Sequence, residues 1–195
     1  MDIRFIVTDF FDSNVYLFER NGKKIMVDCG GTEDGMANIL KSIDFWPDYL
    51  LLSHGHIDHI LALPIFLNTR TKIFVHTSDA HYLRNPNYNL SPKLIGRDFK
   101  WFESVYDYGD LPKELGVEVI HTPGHTPGSV CFLIDKHLFS GDTLFCGGIG
   151  NTSFPGSNYA AEILSVQKLL TLSPDITVYP GHGSSTTIGQ EQNTI

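Results

Sequence analysis

Seven side chains that bind metal ions well, His54, His56, Asp58, His59, His125, Asp142 and His182, are distributed as one dense cluster and three isolated turns. The cluster is Ser53-His54-Gly55-His56-Ile57-Asp58-His59. Residues i and i+2 of an extended segment point the same way, so the His54 and His56 imidazoles can share one ion. Asp58 and His59 fall where the pattern turns helical through Ile57, Ile60 and Leu61, which swings the next carboxylate and imidazole toward a second ion. Seven such ligands can hold two ions side by side. A lone His-x-His carries little weight, whereas His-x-His-x-Asp-His followed by three further ligand turns is restrictive.

Each ligand turn follows a β-like apolar run. Tyr49-Leu50-Leu51-Leu52 precedes the cluster, Val117-Glu118-Val119-Ile120 precedes His125, His137-Leu138-Phe139 precedes Asp142, and Ile176-Thr177-Val178-Tyr179 precedes His182. Four strand exits would line the ligands along one rim of a sheet, where α/β folds tend to bind their ligands. Glycines at 55, 124, 141, 181 and 183 permit the close backbone approach of tight ligand loops. Strand-like runs extend over Ile3 to Thr8, Val15 to Phe18, Lys24 to Val27, Tyr49 to Leu52, Lys72 to Val75, Val117 to Ile120, Val130 to Ile134 and Thr177 to Tyr179. Helical spacing links Met36, Ile39, Leu40 and Ile43, and again Tyr159, Ile163, Val166 and Leu170. The pattern predicts an α/β protein, a single domain over residues 1–195, with two mixed sheets packed together and helices outside. The two halves read as a diverged pair, although no sequence repeat is visible. The long irregular segment from Arg84 to Val105 carries Tyr88, Phe99, Trp101 and Phe102, which would either wall a pocket or cover core surface.

The absence of thiolates from the ligand set leaves zinc, iron and manganese open. Coordination lowers the pKa of water from about 15.7 towards 7, and the ions also stabilise an oxyanion. Together these effects allow attack on an ester, thioester or amide carbonyl without a Ser or Cys nucleophile. Amide cleavage needs a proton donor for the departing amine, whereas a thiolate with a pKa near about 8.5 leaves almost unaided. Tyr179 and His121 read as packing groups rather than as that donor, so a small-molecule thioester suits the visible chemistry.

Composition bounds the alternatives. The chain of 195 residues is 42% hydrophobic, enough for one sizeable core. No apolar run approaches the roughly 20 residues needed to span a bilayer, and the start lacks a signal-peptide pattern, so the expectation is a cytoplasmic protein without a membrane partner. Cys29, Cys131 and Cys146 are odd in number without a CxxC spacing and read as ordinary buried thiols. A net charge of −8 with dispersed Lys and Arg argues against nucleic acid. Nothing in the pattern fixes the oligomeric state.

Beyond the ligands, Ser13-Asn14-Val15-Tyr16-Leu17, Val27-Asp28-Cys29-Gly30-Gly31, Thr122-Pro123-Gly124-His125-Thr126-Pro127-Gly128-Ser129, Ser140-Gly141-Asp142-Thr143-Leu144-Phe145 and Pro180-Gly181-His182-Gly183 resemble the metallo-β-lactamase fold superfamily over nearly the whole chain. The third and fourth of these, with the ending from Gly183 to Glu191, are most similar to small single-domain members of its glyoxalase II-like branch. The resemblance implies a four-layer αβ/βα sandwich and a hydroxyacylglutathione hydrolase-like activity using a hydroxide between two divalent ions, zinc first, with iron or manganese as alternatives. It allots His54, His56 and His125 to one ion and Asp58, His59 and His182 to the other, with Asp142 bridging. Asp58 and Asp142 are then the catalytic carboxylates. Two departures stand out: Asn151 lies where most relatives are expected to carry Arg, and the chain ends 13 residues after His182, without the helical region that helps hold glutathione in full-length members. The alternatives within the fold are a mononuclear-iron persulfide dioxygenase and a hydrolase of another ester such as a lactone. A non-enzymatic metal-binding protein is a further alternative, and β-lactamase activity is not expected.

Overall fold

Side-chain alternation along the strands sorts the chain into layers. The computed structural model describes residues 1–194. β1 (Ile3–Val7), β2 (Asn14–Arg20) and β3 (Lys23–Val27) form an antiparallel meander, and α1 (Glu33–Ser42) then returns the chain to β4 (Tyr49–Leu51). α2 (Ile57–Ile60) follows, and β5 (Lys72–Phe74) completes a sheet of order β1-β2-β3-β4-β5 in which β3, β4 and β5 run parallel. Two short helices, α3 (Pro86–Asn89) and α4 (Ser91–Ile95), lead to the second half. There β6 (Glu118–His121), β7 (Val130–Ile134) and β8 (His137–Gly141) make another antiparallel meander, followed by the small hairpin of β9 (Leu144–Phe145) and β10 (Gly148–Ile149). α5 (Tyr159–Leu170) returns the chain to β11 (Thr177–Pro180), parallel to β8, and β12 (Thr186–Thr187) and α6 (Ile188–Glu191) follow. The second sheet has the order β12-β11-β8-β7-β6. Each half therefore runs meander, helix, parallel strand.

The period-2 alternation of buried strands sorts their buried apolar side chains into three cores. Val15, Leu17, Met26, Leu50 and Ile73 pack outward against α1 and its neighbours. Tyr16, Phe18, Ile25, Val27, Leu51 and Phe74 point the other way and meet Val130, Phe132, Ile134 and Phe139 of the second sheet. Cys131, Leu138 and Val178 face Val166 and Leu169 of α5. The result is a four-layer αβ/βα sandwich. Phe139 sits at the centre of the inter-sheet core, fully buried, with its ring 5.2 Å from those of Tyr16 and Phe18 and 5.3 Å from that of Tyr179.

The strands expected from the sequence agree with those observed to within two residues at each end. The two-residue strands β9, β10 and β12 are too short for alternation to signal. On α5 the buried side chains are Glu162, Ser165, Val166 and Leu169, while Tyr159 is 64% exposed, so the expected apolar stripe is rotated. Between Arg84 and Val105, Phe99 and Trp101 are buried against the first sheet and Phe102 is exposed, which settles the first two as core cover. Cys29 and Cys131 are buried, but Cys146 is exposed, contrary to the sequence expectation, because it lies at the open tip of the β9–β10 hairpin. Among the described residues no helix is long and apolar enough to cross a membrane.

Phe139→Ala should lower unfolding stability by about 3–5 kcal/mol, the usual loss for a buried aromatic. Denaturant titration measures this, and a loss below about 1 kcal/mol would mean that the sheets are not held together there.

Candidate metal centre

The strand exits converge because the two sheets are stitched to one another at one rim. β8 and β11 are parallel neighbours, so Asp142 and His182 emerge side by side, and Gly181 N–H donates to Gly141 O at 2.8 Å. Val130 N–H donates to Ser53 O at 2.9 Å, joining the start of β7 to the exit of β4, and Asn14 N–H donates to Gly181 O at 2.7 Å. Ser13 Oγ donates to Asp58 O at 2.8 Å, holding the turn of α2 from the other side. Space at this junction is tight: a Cβ on Gly181 would run into Asp142 Oδ1 and His59 Cε1.

All seven sequence-predicted ligands are brought together. His56 Nδ1 is 2.9 Å from His125 Nε2, and the ring of His54 lies 4.8 Å from each of theirs. His59 Nε2 is 3.2 Å from His182 Nε2, and Asp58 Oδ2 lies 3.2 Å from His182 Nε2 and 3.8 Å from His59 Nε2. Asp142 reaches both sets, with Oδ1 3.3 Å from His59 Nε2 and Oδ2 3.6 Å and 3.7 Å from the Nε2 atoms of His125 and His182. The ligand atoms of His54, His56 and His125 all lie within 4.8 Å of one another, as do those of His54, His59 and Asp142, and those of Asp58, His59 and His182. Nitrogen ligands of one tetrahedral ion at 2.0–2.1 Å stand about 3.3 Å apart, so these spacings suit donors facing a common cation. Within the protein, buried His54 Nε2 and Asp142 Oδ1 have no hydrogen-bond partner, as inward-facing metal donors would not.

Electrostatics sharpen this. Burial holds His54 well below the ordinary imidazole range and His56 down at about 3, helped by neighbouring imidazoles, so both are neutral lone-pair donors. At His59 burial pulls the same way, but the carboxylates of Asp142, Asp28 and Asp58 outweigh it and hold the ring well above its usual range. At Asp142 burial, which favours the acid, is overcome by His59, His54 and His125, so it stays a carboxylate. Asp58 is likewise held below its ordinary value, the effect of burial overcome by His59 and His182. The centre therefore draws positive charge to the space between its two carboxylates.

Three more buried carboxylates hold the ligand loops. Asp28 accepts Ser53 N–H at 2.7 Å, Ser53 Oγ at 2.8 Å and His59 Nδ1 at 2.9 Å, which turns His59 Nε2 inward. Asp79 accepts Gly55 N–H at 2.9 Å, Gly128 N–H at 2.7 Å and Thr126 Oγ1 at 2.7 Å, tying the His54–His56 loop to the His125 loop. Glu162 accepts His125 N–H at 2.7 Å and Gly150 N–H at 3.2 Å, and burial pushes its carboxyl up to about 7 against those donors. Asn151 O accepts from His125 Nδ1 at 2.8 Å, fixing that ring's tautomer. Asp28 stands inside Val27-Asp28-Cys29-Gly30-Gly31, one of the stretches that carry the family resemblance, but the sequence reading gave neither it nor the other two a role. A polar residue set within an apolar helix face is the signal that could have marked Glu162, whereas nothing near Asp79 marks it. His121 and Tyr179 lie outside the cluster: His121 Nε2 bonds Pro127 O and its ring stacks on His76, while Tyr179 OH lies 3.1 Å from His137 Nδ1.

The metallo-β-lactamase superfamily model matches residues 8–182. Hydroxyacylglutathione hydrolase GloC of Haemophilus influenzae is 34% identical over all of this chain and 96% of its own, and the probable metallo-hydrolase YqgX of Bacillus subtilis is 33% identical over 93% and 90%. The crystal structure of BLEG-1 B3 metallo-β-lactamase superposes with a TM-score of 0.88 at 33% identity, covering 98% of this chain and 97% of that one. A di-iron-bound form of TTHA1623 gives 0.88 at 29% identity, covering 98% of each.

Asp28→Asn keeps one acceptor for three donors and should weaken metal binding about 10-fold or more, as expected when the group orienting a ligating imidazole is lost. Competition with a chromophoric chelator, on protein whose circular dichroism matches the parent, measures it. Unchanged affinity would mean that ring packing alone orients His59.

Proposed function

Because the chain belongs to the metallo-β-lactamase superfamily, we propose that it is a binuclear metal-dependent hydrolase cleaving a small-molecule thioester of the S-acylglutathione type, in the cytoplasm and without a nucleic-acid or membrane partner. The observation that carries the reading is Asp142, whose two oxygens face both sets of imidazoles. His54, His56 and His125 would hold one ion and Asp58, His59 and His182 the other, with Asp142 common to both. The His/Asp donors suit zinc, our first assignment, and also iron or manganese. Bound there, the ions would supply Lewis acidity and a water acidic enough to act as nucleophile near neutral pH.

The protein's own groups do the rest. Asp58, a carboxylate beside His182, can accept a hydrogen bond from the attacking water and aim it at the carbonyl. Asp142 offsets positive charge at the centre. Neither Tyr179 nor His121 is free to protonate a leaving group, since each is engaged elsewhere. A thiolate needs no such donor, which supports a thioester over an amide. The similarity to a hydroxyacylglutathione hydrolase over the full chain supports the same substrate class.

Metal-loaded protein should hydrolyse S-lactoylglutathione, followed as loss of thioester absorbance, and chelation should stop it. Asp142→Asn should lower kcat/KM at least about 100-fold, equivalent to about 2.7 kcal/mol of transition-state stabilisation. Near-parental activity in that variant would refute the site assignment. Oxygen consumption with glutathione persulfide, or turnover of the β-lactam nitrocefin, in place of thioester cleavage would refute the substrate class.

A further inference from the structure

The outer wall of the centre is aromatic. Phe154 sets its ring edge-on to those of His56 and His125, at 5.4 Å and 5.9 Å. Tyr82 lies 5.9 Å from the His56 ring, and its hydroxyl donates to Pro155 O at 3.2 Å, fastening the Phe154 loop to the segment that continues into α3 and α4. α4 brings Lys93 Nζ to 5.1 Å from the Phe154 ring centroid. The other ammonium–aromatic contacts among the described residues, Lys24 on Phe45 and Lys72 on Tyr106, involve rings remote from the site imidazoles.

The loop beneath this wall contributes no charge. Residues 143–158 contain no Lys, Arg, Asp or Glu. Asn151 is occupied in holding the loop: its carbonyl accepts from His125, and its side-chain oxygen accepts Ser153 N–H at 2.9 Å and Ser153 Oγ at 2.8 Å. The chain's net charge of −8 disfavours the approach of an anionic substrate, and a cation at the mouth of the site would offset it locally. Lys93 is exposed, and among the described residues it has no carboxylate partner. An exposed cation–π contact is weak and readily exchanged for an ion pair.

We propose that Lys93 is the specificity-determining cation of this site, recognising a carboxylate on the thiol carrier of the substrate while the acyl carbonyl sits at the metal centre. The proposal rests on the thioester reading of the same site. Lys93 Nζ lies 5.1 Å and the His56 ring 5.4 Å from the Phe154 ring centroid, a reach that a carrier of two or three residues covers at about 3.3–3.6 Å per residue. The carrier's apolar atoms would lie along Phe154 as the ammonium leaves the ring for the carboxylate.

The test compares S-lactoylglutathione, whose carrier has two carboxylates, with S-acetyl-N-acetylcysteamine, whose carrier is neutral. The ratio of their kcat/KM values should fall about tenfold in Lys93→Ala, mainly through KM for the anionic thioester, fall further in Lys93→Glu and return in Lys93→Arg. Added salt should lower the ratio in the parent and have less effect in Lys93→Ala. An unchanged ratio in Lys93→Ala, or equal losses on both substrates, would overturn the proposal. If neither thioester is cleaved, the thioester reading fails on that result. The subsite is then judged by calorimetric titration of glutathione into metal-loaded protein: binding weakened in Lys93→Ala supports it, and equal binding or none in the parent overturns it.

Discussion

Two carboxylates and five imidazoles share a small, largely buried volume, and that crowding is the constraint from which the rest of the structure follows. Asp58 and Asp142 cannot both be ionised beside one another without positive charge between them. In the protein alone, His59 supplies part of it, held toward its protonated form by Asp142, Asp28 and Asp58. A proton on His59 Nε2 lies where Asp58, Asp142 and His182 also point, so a proton and a metal ion compete for the same donors. A metal ion bound at this centre would then displace a proton from His59 as well as occupy the space.

Holding lone pairs inward against their mutual repulsion requires rigid loops, and here rigidity comes from buried carboxyl groups rather than from bulk. Asp28, Asp79 and Glu162 are buried without Lys or Arg partners, an arrangement tolerated because each accepts two or three N–H or O–H donors. Those donors lie on the ligand loops, which would otherwise bury unpaired N–H groups. The carboxylates and the loops thus satisfy one another, and Asp79 in particular makes the position of the His54–His56 loop depend on that of the His125 loop. Small residues are required where these parts meet. A side chain at Gly55 would strike Tyr82, and one at Gly124 would strike Glu162.

The layers, and the candidate ligands that the fold brings together, are legible in the sequence because they are local. Strand alternation is a period-2 signal, and a ligand at a strand exit is written next to its strand; His54, His125, Asp142 and His182 could each be placed that way. Asp79 was not legible because its partners Gly55, Thr126 and Gly128 are 24 to 49 residues away, and only the packing of the two sheets brings them near. The rotation of the α5 stripe has the same origin. Glu162 is buried for its hydrogen bonds to His125 and Gly150, and Tyr159 is turned out although it is the larger apolar group. Hydrophobic spacing reports which face seeks the core, and a buried carboxylate with long-range donors overrides it.

The division of labour between the sheets explains why the centre can be both rigid and open. The first sheet delivers four ligands through one turn, clamped by Asp28 below and Ser13 beside it, whereas the second delivers three from three separate exits. Six of the seven candidate ligands therefore follow a strand whose register is fixed by hydrogen bonding on both sides, since β4, β8 and β11 are all interior strands. β6 is the exception, an edge strand, and the loop after it is the one that Asp79 and Glu162 pin from two directions. Two of the three additional buried carboxyl groups, Asp79 and Glu162, thus hold the loop where sheet pairing alone constrains a ligand least. The outer wall of the centre is left to a loop and two short helices, and the loop also reaches the centre through Asn151 O, which accepts from His125 Nδ1.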